Sequence, residues 1–353
     1  MRRARDTGFG STGAERPLFI FLVVTASLPP NIQETFARLI TTEYTTVDEH
    51  GQPITWPVTP YYQPGAPCID VTTGLGYPKK AADARINPKV SLLFSDATGS
   101  GLADAPLVLV QGTAEVDDHD LDFNRERYAR ELAVKLPHAP KTPRIMTRML
   151  SWYYTRIYVH VRPERIYAWP AGDLGAEPEL YDTRLEEVRS GHYEEPDSAH
   201  AQPEGGASRW DERLEELGRH YRSAVLSLVA PDGFPFSVRV PVAVDAAGRR
   251  VRIEGELSGV PLQPGLACLT AHEHPPDFSW QRNFQVRGDL VRDHDGGWSL
   301  LPHRLIGGFE MPPGSLLARA RLNLGKMRRF QATAKRELSR RRSVRSTVGG
   351  TES

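Results

Sequence analysis

Two cysteines in 353 residues are too few for a disulfide scaffold. Cys68 and Cys268 lie in opposite halves of the chain. They could form one bridge or stand as two buried thiols, and neither has the Cys-x-x-Cys neighbour that metal and redox sites use. Net charge of one sign is also missing, since 44 basic residues face 44 acidic ones. The molecule as a whole therefore has no bias toward polyanions, and a charged partner must be met by a local patch. No His-Glu-x-x-His and no Gly-x-Ser-x-Gly occurs, which removes two familiar hydrolase signatures. No stretch is long and apolar enough to span a bilayer.

The N-terminus imitates a secretory signal. Met1-Arg2-Arg3-Ala4-Arg5 precedes the apolar run Leu18–Val24, and Thr25-Ala26-Ser27 offers a weak cleavage site. A Gly/Ser/Thr-rich spacer carrying Glu15 separates the two parts, and the run is short. Residues 1–28 are therefore read as a disordered or over-annotated extension, with Val23 or Val24 as an alternative start, and the protein is expected in the cytoplasm.

What is present is a weak internal repeat. Thr46-Val47-Asp48-Glu49-His50-Gly51-Gln52-Pro53 is answered by Leu228-Val229-Ala230-Pro231-Asp232-Gly233-Phe234-Pro235, each a strand, a glycine turn and a strand. Val110-Gln111-Gly112-Thr113 is answered by Val286-Arg287-Gly288-Asp289, with acidic turns following both. Arg162-Pro163-Glu164-Arg165 is answered by Leu301-Pro302-His303-Arg304. Three landmarks in the same order predict two related halves. Short strands between Gly/Pro turns favour small barrels over a parallel α/β sheet.

The expected fold is mainly β with accessory helices, as two split β-barrel domains in tandem. Residues 29–171 form the first, with a helical insertion at 121–136 and a second short helix over 143–152. Residues 172–208 read as a linker, rich in Gly, Pro, Glu, Asp and Ser. The second barrel covers 209–312 and opens with a helix over 210–220, and 313–353 is a basic helix or tail.

The candidate site lies between Ile69 and Leu93. A strand ending in Thr72-Thr73, a Gly74-Leu75-Gly76 turn and the pair Lys79-Lys80 at a helix start suit a phosphate. Hydroxyls and free backbone N–H groups donate, and lysine supplies charge. Taken alone, the same residues also describe a solvated turn with two surface lysines. The ordered set, from the hairpin through Thr-Thr-Gly, lysine, Arg-x-Asn-Pro-x-Val-Ser-Leu and Val-Gln-Gly-Thr-Ala-Glu-Val to Arg-Pro-x-Arg-x-x-x-Trp, resembles the pyridoxamine 5′-phosphate oxidase-like, FMN-binding split-barrel superfamily. The resemblance covers about residues 29–170, with a degenerate echo from about 210 to 310.

That resemblance implies a six-stranded antiparallel split barrel holding FMN, or the related deazaflavin coenzyme, at a dimer interface. It implies that Lys80 contacts the phosphate with Lys79, Thr72 and Thr73 beside it. It also implies that Thr55, Trp56, Pro57 and Val58 line the flavin ring and that Gln111 borders it. The expected activity is an FMN-dependent oxidoreductase acting on a small molecule, with no catalytic residue assigned. The alternatives are a deazaflavin-dependent reductase, for which Lys79 and Arg85 would meet the longer tail, and a non-catalytic flavin- or haem-binding protein with His272 and His274 as haem contacts. In the second half the matching stretch, Gly255–Gln263, has no lysine or arginine and carries Glu256, which would repel a phosphate. The second half is thus expected to serve as in-chain partner, an intramolecular pseudo-dimer, or else the chain forms a homodimer. The basic run from Lys326 to Arg345 reads as a solvated helix end or tail and not as a nucleic-acid or membrane contact.

Overall fold

Both glycine-turn hairpins form as the sequence predicts, and the reason is local. In the computed structural model Gly51 and Gly233 have φ of 76° and 82°, the left-handed region that a side chain disfavours. Each hairpin closes a five-residue loop, Val47 pairing with Pro53 and Val229 with Pro235. The structure describes residues 28–137, 150–170, 172–182, 210–257, 259–308, 325 and 328–341. The N-terminal extension and most of the expected linker therefore lie outside the described residues, as does most of the second insertion helix.

The first half opens with α1 (Pro30–Arg38) and continues with β1 (Thr42–Val47), β2 (Pro53–Val58), β3 (Ile69–Gly74), α2 (Lys79–Ile86), β4 (Lys89–Phe94) and β5 (Leu107–Asp117). The insertion follows as α3 (Leu121–Lys135) and the short α4 (Ser151–Tyr154), then β6 (Arg156–Trp169) and β7 (Glu179–Asp182). The second half has α5 (Leu214–His220), β8 (Ser223–Val229), β9 (Pro235–Asp245), β10 (Arg250–Ile253), β11 (Gly265–Glu273), β12 (Arg282–Arg292) and β13 (Trp298–Gly307). A last helix, α6, spans residues 328–341.

The two sheets share one strand order. The first runs β2-β1-β4-β5-β6-β3, and the second runs β9-β8-β11-β12-β13-β10, antiparallel throughout. They differ at the ends of that order. β9 pairs with β10 and closes the second barrel, whereas β2 and β3 leave the first sheet split, joined near that gap only by a bridge between Tyr61 and Asp70. The expected linker begins as sheet: β7 pairs with the outer end of β6, and Leu174 is buried. Acidic and proline-rich composition hid those few apolar residues.

The other repeat landmarks have a steric origin. Gly112 pairs with Pro163 and Gly288 with Pro302, each at a β-bulge. Proline has no N–H for the ladder and so sits where the ladder is broken. A Cβ on Gly112 would lie 2.2 Å from the carbonyl oxygen of Arg162, and one on Gly288 would lie 2.1 Å from that of Leu301. Because the obstacle is backbone, the strands must separate to admit a methyl. Gly112→Ala and Gly288→Ala are each expected to destabilise by roughly 3 kcal/mol. Urea unfolding measures this, and an alanine variant indistinguishable from wild type would contradict it.

The halves meet across a polar seam. Thr45, Thr55, Ser227 and Ser237 form a fully buried ring of hydroxyls, with Thr45 to Thr55 2.9 Å, Thr55 to Ser227 2.6 Å, Ser227 to Ser237 2.8 Å and Ser237 to Thr45 2.9 Å. Each buried hydroxyl thereby finds the partner that desolvation demands. Phe36, Leu92 and Val110 belong to the first half's core, while a second cluster spans the seam and packs Leu93, Leu109 and Trp169 with Leu226, Val238 and Val286. Cys68 is half-buried and Cys268 buried, both as free thiols.

Candidate functional site

β3 ends in the Thr-Thr-Gly bend, and the Thr73 hydroxyl donates to the Tyr77 carbonyl at 2.9 Å, closing the turn before α2. A Cβ on Gly74 would come within 2.8 Å of the Tyr77 ring, so glycine lets that ring lie back over the strand end. Opposite Gly74 in the ladder stands Arg156, the first residue of β6. Its guanidinium donates to the Tyr77 phenol at 3.0 Å and to the Tyr128 phenol at 2.6 Å. The rings of Tyr128 and Tyr153 lie 4.2 and 4.1 Å from it, within cation–π range.

Arg156 is only 5% exposed, yet no carboxylate among the described residues lies within 4 Å and its Nε has no partner there. The phenols around it do not compensate the charge. Burial pushes Tyr77 up to about 12 and Tyr128 well above its ordinary value, so both stay neutral near pH 7. A buried cation without a counter-ion is costly and marks a place where an anion is welcome.

Lys80 stands beside it. Its ammonium lies 5.3 Å from the Tyr77 ring centroid and 6.0 Å from that of Trp56, with no ion pair among the described residues. Burial, with repulsion from Arg156 added, lowers its pKa to about 8. Lys79 is different. It is exposed and already bound by Asp83 at 2.9 Å, with Asp48 at 3.8 Å.

These groups face a cavity of about 600 Å³, within the usual range for small-molecule sites. Trp56, Pro57 and Val58 on one rim of the β2/β3 gap, and Thr72 on the other, line it together with Lys79 and Lys80. The C-terminal barrel forms the facing wall with Arg282, Arg287 and Arg304, and α6 adds Arg329 and Phe330. One carboxylate, Glu273, lines it as well, and that is bonded to Arg282.

Three expected site residues are placed elsewhere. Thr55 belongs to the hydroxyl ring, and its carbonyl accepts from Thr270 and Gln285 of the other half. The Gln111 amide donates to the Pro235 carbonyl at 3.0 Å, again across the seam. Thr73 turns its hydroxyl into the bend. Strand alternation distinguishes two faces, but both faces of these strands are covered here, one of them by the second half. Arg85 is outside the cavity too, joined to Asp118.

His272 and His274 line the cavity, but each side chain is only 2% exposed and already committed. Nε2 of His272 meets Glu43 at 2.6 Å and Arg239 at 2.8 Å, while His274 bonds Thr41 and the Pro275 carbonyl. The basic C-terminal run is likewise no solvated tail over residues 328–341. Phe330 packs 5.1 Å from the Trp152 ring and 5.4 Å from that of Tyr77, Ala334 is buried, and Arg341 pairs with Asp118. Its apolar positions, four apart, were a legible helical signal beneath the charge.

Arg156, Tyr128 and Tyr153 had no role in the sequence reading. Arg156, Tyr158 and His160 alternate along one face of β6, and Trp152-Tyr153-Tyr154 is an aromatic cluster just before it. Only the fold places them beside Lys80. On the opposite side of the seam a hollow of about 470 Å³ is lined by Glu254 and Glu256, and by an Arg239 already paired with Glu43. That hollow thus carries glutamates where the first cavity carries lysines.

These groups form a cleft between the two halves of the chain, walled by aromatic rings and lined by several cations. No family model and no curated protein matches the chain. Solved structures do resemble it. General stress protein 26 from Bacillus anthracis str. Sterne is 18% identical over 43% of this chain and 98% of its own, with a TM-score of 0.28. A putative pyridoxamine 5′-phosphate oxidase from Listeria innocua is 15% identical over 39% and 95%, at 0.28. The haem storage protein HutZ from Vibrio cholerae is 16% identical over 40% and 94%, at 0.30. Among the described residues no helix is long and apolar enough to cross a membrane.

Proposed function

We propose that the chain is an oxidoreductase that holds a flavin-type cofactor, FMN or a deazaflavin, in this cleft and acts on a small molecule. One observation carries the reading: Lys80 and Arg156 share an aromatic-walled cavity without a counter-ion among the described residues. The residues present fit such a group. Lys80 and Arg156 would hold its phosphate, Thr72 stands at the same end, and Trp56, Pro57 and Val58 offer a wall for the ring. A bound flavin or deazaflavin ring would supply the hydride-transferring centre. The protein's own part is anchoring, orientation and exclusion of water, with Phe330 and the C-terminal barrel covering the cleft. The halves act as an in-chain pair, since the second supplies the facing wall and its own hollow carries carboxylates where the first has Lys80.

The absorbance spectrum of the purified full chain tests this. Bands near roughly 370 and 450 nm would mark FMN, a single band between them a deazaflavin, and a Soret band haem. A protein that takes up none of these on reconstitution would end the reading.

The state of Lys80 sets a pH dependence. An anion binds the ammonium form, and that form is lost as pH rises through about 8. FMN affinity is expected to be level from about pH 7, where the phosphate is a dianion, up to that point and to fall above it, approaching about ten-fold per pH unit. Fluorescence titration from acid-neutral to alkaline pH measures it. A flat profile would show that Lys80 is not the anchor.

A further inference from the structure

We infer that the C-terminal barrel adds a second anion site to the same cleft, built on Arg287 and Arg304, which receives the carboxylate or phosphate of an anionic substrate. The inference rests on the reading that Lys80 and Arg156 hold the cofactor's phosphate.

Arg287 on β12 and Arg304 on β13 stand directly opposite each other in the ladder. Like charges so placed destabilise a sheet. Neither guanidinium has a carboxylate within 4 Å among the described residues, and the exposed guanidinium of Arg304 makes no hydrogen bond to them. The fold does not require the pair. At the same bulge in the first half stand Gln111 and Arg165, and Arg165 is neutralised by Asp232. The second half carries the glycine and proline that the bulge needs, but replaces the glutamine by a second arginine and has no carboxylate in reach.

Arg287 is also held in place. Its Nε donates to Gln285 at 2.7 Å, and the Gln285 amide donates to the Thr55 carbonyl of the other half at 2.7 Å. Burial lowers its pKa, with Arg304 acting in the same direction and Asp48 and Asp83 against it. Those two carboxylates already serve Lys79. Two acids therefore face three cations, and the balance on this wall stays positive. The cations come from β12 and β13, whereas the first cluster is built on α2 and β6, so a ligand pair can be gripped from both sides.

Calorimetric titration of the full chain with inorganic phosphate at low salt tests the site. Two phosphates are expected per chain. Lys80→Met and the double change Arg287→Gln with Arg304→Gln should each leave one, weakening the other at least ten-fold. Arg304→Lys, which keeps the charge, should retain both and guards against a folding artefact. Saturating FMN should displace one phosphate and leave the one that the arginine changes remove.

A single phosphate lost in Lys80→Met and untouched by the arginine changes would overturn this second site while leaving the cofactor reading intact. Loss in the arginine variant with no effect of Lys80→Met would do the reverse. Displacement of both phosphates by FMN would assign the site to the cofactor's own charge and overturn its role for substrate.

Discussion

Lys80→Glu is expected to weaken FMN binding by at least about 100-fold while changing riboflavin, which lacks the phosphate, little. A hydrogen bond to a charged group contributes about 1.5–3 kcal/mol, and the new carboxylate adds repulsion in a half-buried, poorly screened place. Together these amount to roughly two decades or more of affinity. Lys79→Ala is the informative control. Its ammonium already faces Asp83 and Asp48, so its loss should change FMN affinity far less. Equal losses in the two variants would reduce the site to diffuse surface charge. Full FMN occupancy in Lys80→Glu would remove the anchor altogether.

The same lysine makes an opposite prediction for the ligand-free protein. Its pKa falls from 10.5 toward 8 on folding, so between those values the unfolded chain binds more protons than the native one. Stability from this group is therefore fully present above the unfolded value and is lost as pH falls through about 8. Lys80→Met should hold or raise the stability of the ligand-free chain while it weakens phosphate binding. That outcome would mark Lys80 as a place where stability is given up for the proposed anion binding.

What the sequence made legible follows from how local each cause is. Gly51 and Gly233 are set by a turn, and Gly112 and Gly288 by one carbonyl across a bulge, so the repeat in the two halves could be anticipated from a few letters. The place of Lys80 was legible because it closely follows the Thr-Thr-Gly bend in sequence. Arg156 was not, because its meaning depends on β6 meeting β3 and on an insertion delivering Tyr128 and Tyr153 to it. Thr55 and Gln111 were misplaced for a related reason: a strand pattern shows that a face is buried but not what buries it. Phe330 was masked by the arginines around it. The fold was therefore more legible than the site, whose walls come from parts of the chain far apart in sequence.

Glu43→Ala is expected to have the largest effect on stability, about 3–5 kcal/mol, the usual loss when one partner of a buried ion pair is removed. Glu43 is fully buried on β1, and its Oε1 accepts from Arg239 at 2.7 Å, from Ser95 at 2.9 Å and meets His272 at 2.6 Å. Arg239 and His272 belong to the other half, so alanine strands a buried cation and an imidazole at the seam. Glu43→Gln keeps the volume and a carbonyl oxygen for Ser95, and should lose less. Burial alone would raise the Glu43 pKa, but Arg239 and His272 more than offset it, and the carboxyl sits below its ordinary value. Its contribution is thus present above about pH 4.5 and is lost as pH falls through the lowered value. His274, which burial keeps neutral, acts earlier. Its pKa lies below 6.5, so stability drops as pH falls from there while the unfolded chain takes up a proton that the native seam refuses. Urea midpoints measured from about pH 8 to below about pH 4 should therefore decline in two stages, with the lower stage smaller in Glu43→Gln. If Glu43→Ala unfolded within about 1 kcal/mol of wild type, the two halves would not be coupled through this triad. The cavity they enclose would then depend on the hydroxyl ring, the other hydrogen bonds across the seam, such as that from Gln111 to Pro235, and the apolar contacts.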